Sequence, residues 1–172
     1  MNYGSIKVCD TANGPGMRVS LFVSGCTHHC KGCFNEVAWD FGYGNYYTME
    51  TENYILSMLA APHMDGLSVL GGEPMNPFNQ ASIVSLVTRA HWMGKSVWVY
   101  TGYTWEELQD PQSGCRNGCT DLILDMVDVL VDGRFVEAEK DISLQFRGSR
   151  NQRLIDVPKT LEAGKVVLWE EK

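Results

Sequence analysis

Three cysteines within eight residues constrain this chain more than any other feature. Cys26, Cys30 and Cys33 follow the spacing C-x3-C-x2-C. They come directly after the apolar run Val19 to Val23, which reads as a buried strand. The strand breaks at Ser24-Gly25 and hands the chain to the cysteines. Thiolates this close can converge on one inorganic centre. Cysteines hold iron–sulfur clusters, usually four per cluster. They also hold zinc, with four ligands in structural sites and one open position in catalytic ones. The local count here is three. A four-iron cluster on three cysteines has one iron without a protein ligand, and that iron can bind a small molecule directly. The zinc alternative needs a further ligand from His28, His29 or a distant cysteine.

The totals narrow the setting of that centre. A length of 172 residues fits one domain with a sizeable core. A net charge of −7 leaves no basic surplus for neutralising phosphates, which argues against nucleic acid as the main partner. No apolar run approaches the roughly 18 residues of a membrane span, so no membrane partner is expected. The start shows no basic region followed by an apolar one, so no secretory signal is expected. Six cysteines without an export signal predict a cytoplasmic protein that uses them for metal or redox chemistry, not disulfides.

Strands and helices alternate along most of the chain. Asn2 to Cys9 reads as an edge strand, with Cys9 a half-buried thiol. Asn13-Gly14-Pro15-Gly16 is a turn before the strand Met17 to Val23. Arg18, just after the turn, reads as a solvated surface residue. Trp39 to Tyr47 is an aromatic, glycine-rich loop. Thr48 is a helix N-cap, and the helix ends before Pro62. Gly66 to Leu70 is a strand that runs into Gly71-Gly72-Glu73-Pro74. A glycine pair there lets backbone approach a ligand closely, and the glutamate adds an acceptor for an ammonium group. A helix over Asn79 to Trp92 is closed by Gly94. Ser96 to Tyr100 is the next strand. Thr104 and Glu107 form a capping box for a following helix. A short helix from Thr120 and a strand Val127 to Val131 complete the alternation, which predicts parallel βαβ units. Cys115 and Cys119 lie in a loop and read as ordinary loop residues. The three arginines from Arg147 to Arg153 read as a solvated face, Val166 to Trp169 as a last strand, and Glu170-Glu171-Lys172 as a charged tail.

The C-x3-C-x2-C spacing, followed some forty residues later by G-G-E-P, resembles the radical S-adenosylmethionine (SAM) superfamily. Within it, several stretches in order resemble the family that activates anaerobic ribonucleotide reductases. These are N-G-P-G-M-R, F-V-S-G-C-T-H-H-C-K-G-C-F-N, G-G-E-P, V-W-V-Y-T-G-Y, V-D-V-L-V-D-G-R-F and R-G-S-R-N-Q-R, which together span the chain up to Arg153.

The resemblance implies an α/β fold: one radical SAM domain over residues 1–172, with residues 154–172 a tail of unassigned role. The barrel implied is an incomplete (βα) one of mostly parallel strands, since a closed barrel of eight units needs about 250 residues. It implies a single [4Fe-4S] cluster on Cys26, Cys30 and Cys33, with SAM bound to the open iron. Gly32, Cys33 and Phe34 would lie against SAM, and Gly71, Gly72, Glu73 and Pro74 would hold its methionyl end. Thr101 and Asp132 would reach its ribose or a bound cation. Reductive cleavage of SAM would release a 5′-deoxyadenosyl radical, which would take a hydrogen from a glycine of the reductase's large subunit. The electron would come from an external donor such as a flavodoxin. Two departures stand out: Phe34 where the family commonly has Tyr, and Glu73 where it often has Asp. The rival readings are an activase for pyruvate formate-lyase, a radical SAM enzyme for a small molecule, and a zinc-binding module without chemistry.

Overall fold

The structure is a computed structural model and describes residues 1–170. Its frame is one seven-stranded sheet. The strands are β1 (Asn2–Asp10), β2 (Arg18–Val23), β3 (Asn45–Tyr46), β4 (Gly66–Gly71), β5 (Ser96–Tyr100), β6 (Val129–Asp132) and β7 (Arg153–Asp156), in the order β3-β1-β2-β4-β5-β6-β7. The centre β2-β4-β5-β6 is parallel, while β1 with β2, β1 with β3 and β6 with β7 pair antiparallel. The sheet is therefore mixed and open, with β3 and β7 at its edges. The parallel units lie where the strand–helix alternation places them. The antiparallel pairs flank this centre on both sides, and no α-helix lies between β1 and β2 or between β6 and β7.

Five helices connect and flank the strands: α1 (Met49–Leu59), α2 (Pro77–Trp92), α3 (Trp105–Gln109), α4 (Thr120–Leu124) and α5 (Val157–Ala163). The side chains of each strand alternate between two faces. Val19, Leu21 and Val23 of β2, Leu67 and Val69 of β4, and Val97 and Val99 of β5 turn toward the helices. They pack with Ile55, Leu59, Ile83, Leu86, Leu108 and Ile123 in the main core. Fully burying one such side chain is worth about 1.5–3 kcal/mol, and this core is continuous across the sheet. On the opposite face, Trp98 packs edge-on against Phe146 and Trp169, with ring centroids 5.3 and 5.0 Å away.

Thr48 caps α1 as expected. Its side chain accepts from the Thr51 N–H, and Thr51 Oγ1 accepts from the Thr48 N–H. Replacing Thr48 by Ala should cost about 1 kcal/mol. In a chain of this size that lowers the melting temperature by roughly 2–4 °C, which a thermal melt would read. Thr104 and Glu107 form the predicted capping box of α3.

Several expectations are corrected. Asn2–Asp10 is not an edge strand, because Asn45–Tyr46 pairs on its outer side. Cys9 is exposed and not half-buried; it sits in a bulge at φ 63°, which turns its side chain out. Arg18 is completely buried and not solvated. Its guanidinium lies under the sheet, 5.5 Å from the Trp98 ring. There it donates to the Leu67 and Ser96 carbonyls and the Ser68 hydroxyl at 2.7–2.9 Å. Burial brings its pKa down to about 10. Three neutral acceptors thus take the place of water.

The residues after Arg153, read as a tail, form β7 and α5. Asp156 caps α5 with Pro158 in its first turn, and Gly164 closes it at φ 63°. Val166 to Trp169 runs along the free edge of β7 through Asp156 N–H to Val167 O and Trp169 N–H to Leu154 O, without forming a regular strand. Of the charged end, Glu171 and Lys172 lie outside the described residues. No helix among those described is long and apolar enough to cross a membrane.

Candidate iron–sulfur and cofactor site

Parallel strands of an α/β sheet present their carboxyl ends to ligands. Here β2 ends in the cysteine loop, β4 in Gly71-Gly72-Glu73 and β5 in Thr101-Gly102. All three loops line one cavity of about 470 Å³, within the range of small-molecule sites. Cys26, Cys30 and Cys33 face it together with Gly32, Phe34, Gly71, Gly72, Glu73 and Thr101. Of the residues singled out from sequence, Pro74 and Asp132 do not line it. Asp132 is buried and already committed: its carboxylate accepts from the Trp105 N–H and pairs with the Arg153 guanidinium.

The loop geometry suits thiolate ligands. The Asn35 N–H lies 3.4 Å from the Cys33 sulfur. Hydrogen bonds to sulfur are one of the means by which a protein tunes such clusters. The loop makes these turns with left-handed residues at Gly25, His29 and Gly32. Without a metal, burial pushes the Cys26 thiol up to about 11, and it raises Cys30 as well. A coordinating metal deprotonates a thiol outright, so these raised values belong to the metal-free loop.

The histidines that a zinc site would need are engaged elsewhere. His28 Nε2 lies 2.8 Å from Glu73 Oε2, and His29 rests on the Trp39 ring with centroids 4.5 Å apart. No three His, Cys, Asp or Glu side chains among the described residues converge closely enough to hold a single metal ion. Cys115 is buried in the core, its sulfur against Ser113 Oγ and the Glu107 carbonyl. That is the ordinary loop role expected of it.

The far side of the cavity comes from residues that the sequence did not single out as site residues. Phe22, Leu70 and Tyr100 occupy matching positions near the ends of β2, β4 and β5, on the face away from the helices. Their signal was the strand period itself, since they alternate with the core-facing Val23, Val69 and Val99. Lys140 to Gln152 closes the opposite wall. The arginine run is solvated only at Arg150, while Arg147 and Arg153 are half-buried. Arg150 pairs with Asp141, whose carboxyl is held down to about 2 by Ser143 and Arg150. Arg153 bridges Asp132 and Glu106. Arg147 lines the cavity, with Nη1 donating to the Gln152 carbonyl at 3.1 Å. Three of the residues that line the cavity, Trp39, Tyr100 and Arg147, each carry a buried polar atom without a hydrogen-bond partner: Nε1, Oη and Nε. The polar groups of the lining residues include the three thiols and the Arg147 guanidinium. A cluster on the three cysteines, with a small polar cofactor beside it, fits this donor set.

Comparison with known proteins agrees with that chemistry. A family model described as "4Fe-4S single cluster domain" matches residues 12–155. The chain is 42% identical over 156 residues to the "Anaerobic ribonucleoside-triphosphate reductase-activating protein" of Vibrio cholerae, covering 88% of this chain and 96% of that one. The Escherichia coli protein of the same name gives the same figures. The one from Enterobacteria phage T4 is 39% identical over 158 residues, covering 90% and 93%.

Proposed function

The chain belongs to the family of anaerobic ribonucleoside-triphosphate reductase-activating proteins, and from that premise we propose that it is a radical SAM activase that leaves a glycyl radical on the reductase's large subunit. The observation that carries this reading is the meeting of Cys26, Cys30 and Cys33 with the Gly71-Gly72 turn around one cavity.

Residues 1–172 act as one domain, and the open sheet is the incomplete barrel of this superfamily. Cys26, Cys30 and Cys33 hold a [4Fe-4S] cluster. Gly32, Cys33 and Phe34 on one side and Gly71 and Gly72 on the other hold SAM. When bound, the cluster and SAM supply the one-electron chemistry that removes a hydrogen atom from a glycine Cα. The chain's own part is to position and to protect. Phe22 and Leu70 keep an apolar wall on the cavity and exclude water from it. Arg147 stands on the cavity lining, and a guanidinium suits the carboxylate of SAM. The side chains of Phe34 and Ile142 stand fully in solvent at the rim, where the partner's glycine segment enters. No further cysteines stand in ferredoxin spacing, so an outside donor such as a flavodoxin delivers the electron, in the reducing cytoplasm.

Anaerobic reconstitution with iron and sulfide, followed by dithionite and SAM, tests the first half of this. The expected products are methionine and 5′-deoxyadenosine. Adding the reductase large subunit should then yield a glycyl radical signal by electron paramagnetic resonance. Cleavage of SAM with a signal on pyruvate formate-lyase but none on the reductase would reassign the substrate. One zinc per chain and no acid-labile sulfide would end the activase reading.

A further inference from the structure

Glu73 is the point at which three loops meet. Its side chain is 1% exposed and that of His28 is 6% exposed. Oε1 accepts from the Met75 N–H at 2.9 Å and the Thr101 hydroxyl at 2.7 Å. Oε2 accepts from the Gly102 N–H at 2.6 Å and lies 2.8 Å from His28 Nε2. With the carboxylate ionised it only accepts, which assigns the hydrogen between the two to His28 Nε2. Such a carboxylate has about four lone-pair sites, and all four are taken.

The resemblance to radical SAM enzymes assigns this carboxylate, together with the backbone beside it, to the amino group of SAM. The geometry disagrees. An ammonium could reach Glu73 only by displacing one of four donors from a buried charge, and bonds to charged groups are the costly ones to break. We propose that His28 and Glu73 form one positioning unit that docks the cysteine loop onto the ends of β4 and β5, and that Glu73 does not bind the SAM ammonium. The backbone of the Gly71-Gly72 turn takes that group instead. The proposal rests on the reading that the cavity holds a cluster and SAM.

Three features show the unit to be built. His28 sits between Cys26 and Cys30, so fixing its ring fixes the loop that carries both sulfurs. Tyr103 packs on that ring, with centroids 4.4 Å apart. The ring also occupies the space that a side chain at Gly102 would need, so its seat depends on glycine there. A carboxylate is also the side chain that the spot calls for. Four donors converge, and an amide would set its own N–H₂ against two of them.

The test uses the full chain, reconstituted anaerobically, with three variants: His28→Phe, His28→Gln and Glu73→Gln. The readouts are iron and sulfide per chain, the resonance spectrum of the reduced cluster without SAM, and the SAM dissociation constant per loaded cluster. His28→Phe and Glu73→Gln should each weaken cluster retention by about 10-fold or more, the usual scale for residues that orient metal ligands. Each should also shift the spectrum, and the double variant should be no worse than the poorer single one. His28→Gln keeps a side-chain N–H for Glu73 and should restore most of the loading. SAM affinity of whatever cluster loads should stay within roughly 3-fold of the parent, less than 1 kcal/mol by the tenfold-per-1.4 kcal/mol relation.

Normal loading of His28→Phe with an unchanged spectrum would overturn the proposal. So would a Glu73→Gln protein that loads normally but binds SAM at least about 10-fold more weakly, since that puts the ammonium on the carboxylate. If Glu73→Gln does not fold, the two His28 variants decide the matter by themselves. A parent chain that takes up no cluster strikes instead at the functional reading.

Discussion

Alanine in place of Cys26, Cys30 or Cys33 should abolish SAM cleavage, while Cys9→Ala should leave it at the parent rate. The three cysteines line one cavity and stand on one loop. No cysteine elsewhere can replace one of them. Cys115 is buried in the core, Cys119 lies beside it, and Cys9 faces solvent on β1. A cluster with only two ligands has two exposed irons and is lost under reconstitution conditions, so the activity should fall to the detection limit. Iron and sulfide content should fall in parallel. Full cleavage activity in any one of the three variants would mean that another group completes the site. Loss of activity in Cys115→Ala with an intact fold would draw that loop into the chemistry.

Gly72→Ala should be nearly as damaging, although it adds one methyl group. A Cβ at this position would lie 2.8 Å from the Gly25 carbonyl oxygen, 2.9 Å from that of Ala38 and 3.0 Å from the Gly25 nitrogen. All three are backbone atoms, so no side chain can swing aside. The turn after β4 must move away from the cysteine loop or push it. Overpacking of this kind costs typically 1–3 kcal/mol. At roughly 2–4 °C per kcal/mol, the melting temperature should drop by several degrees. The larger effect falls on function, because the displaced backbone is what holds the turn against the cluster loop. SAM cleavage should drop by about 100-fold or more, the scale on which small misplacements act. Gly114→Ala is the control. Nothing lies within 4 Å of a Cβ there and its φ is not positive, so stability should be unchanged or slightly raised. Equal behaviour of the two variants would remove the steric account of Gly72.

Much of the site is local in sequence, which is why it is legible. The C-x3-C-x2-C loop is one short segment, and any fold that ends a strand at Val23 delivers its three thiols together. The same holds for Gly71-Gly72 after Leu70 and for the Thr104–Glu107 capping box. In each, the groups that interact lie within a few residues of one another. Where the reading went astray, the deciding contact is distant. Arg18 follows a polar turn and looks solvated, but its acceptors are carbonyls and a hydroxyl 49, 50 and 78 residues away. Asp132 was placed at the ligand because it ends a strand; the ion pair with Arg153, across the antiparallel β6–β7 pairing, commits it to the frame. The tail was passed over because four residues make a strand only when a partner such as β6 supplies its hydrogen bonds. The α5 signals, Asp156 before Pro158 and Gly164 at its end, were nevertheless present in the sequence.

The sequence by itself determined the chemistry: three thiols at fixed spacing, a glycine turn after the next strand, and the α/β alternation that brings both to the same edge of a sheet. Spacing and period are properties of the covalent chain, so they survive without coordinates. Only the tertiary structure decided which side chains are already spent. Glu73 reads as an open acceptor until its four donors are seen to arrive from the cysteine loop, its own turn and the end of β5. Arg147 reads as part of a solvated run until folding sets it, half-buried, on the cavity lining. A carboxylate or a guanidinium has a small number of hydrogen-bonding positions, and the distant neighbours that folding brings to them determine how many are left for a ligand.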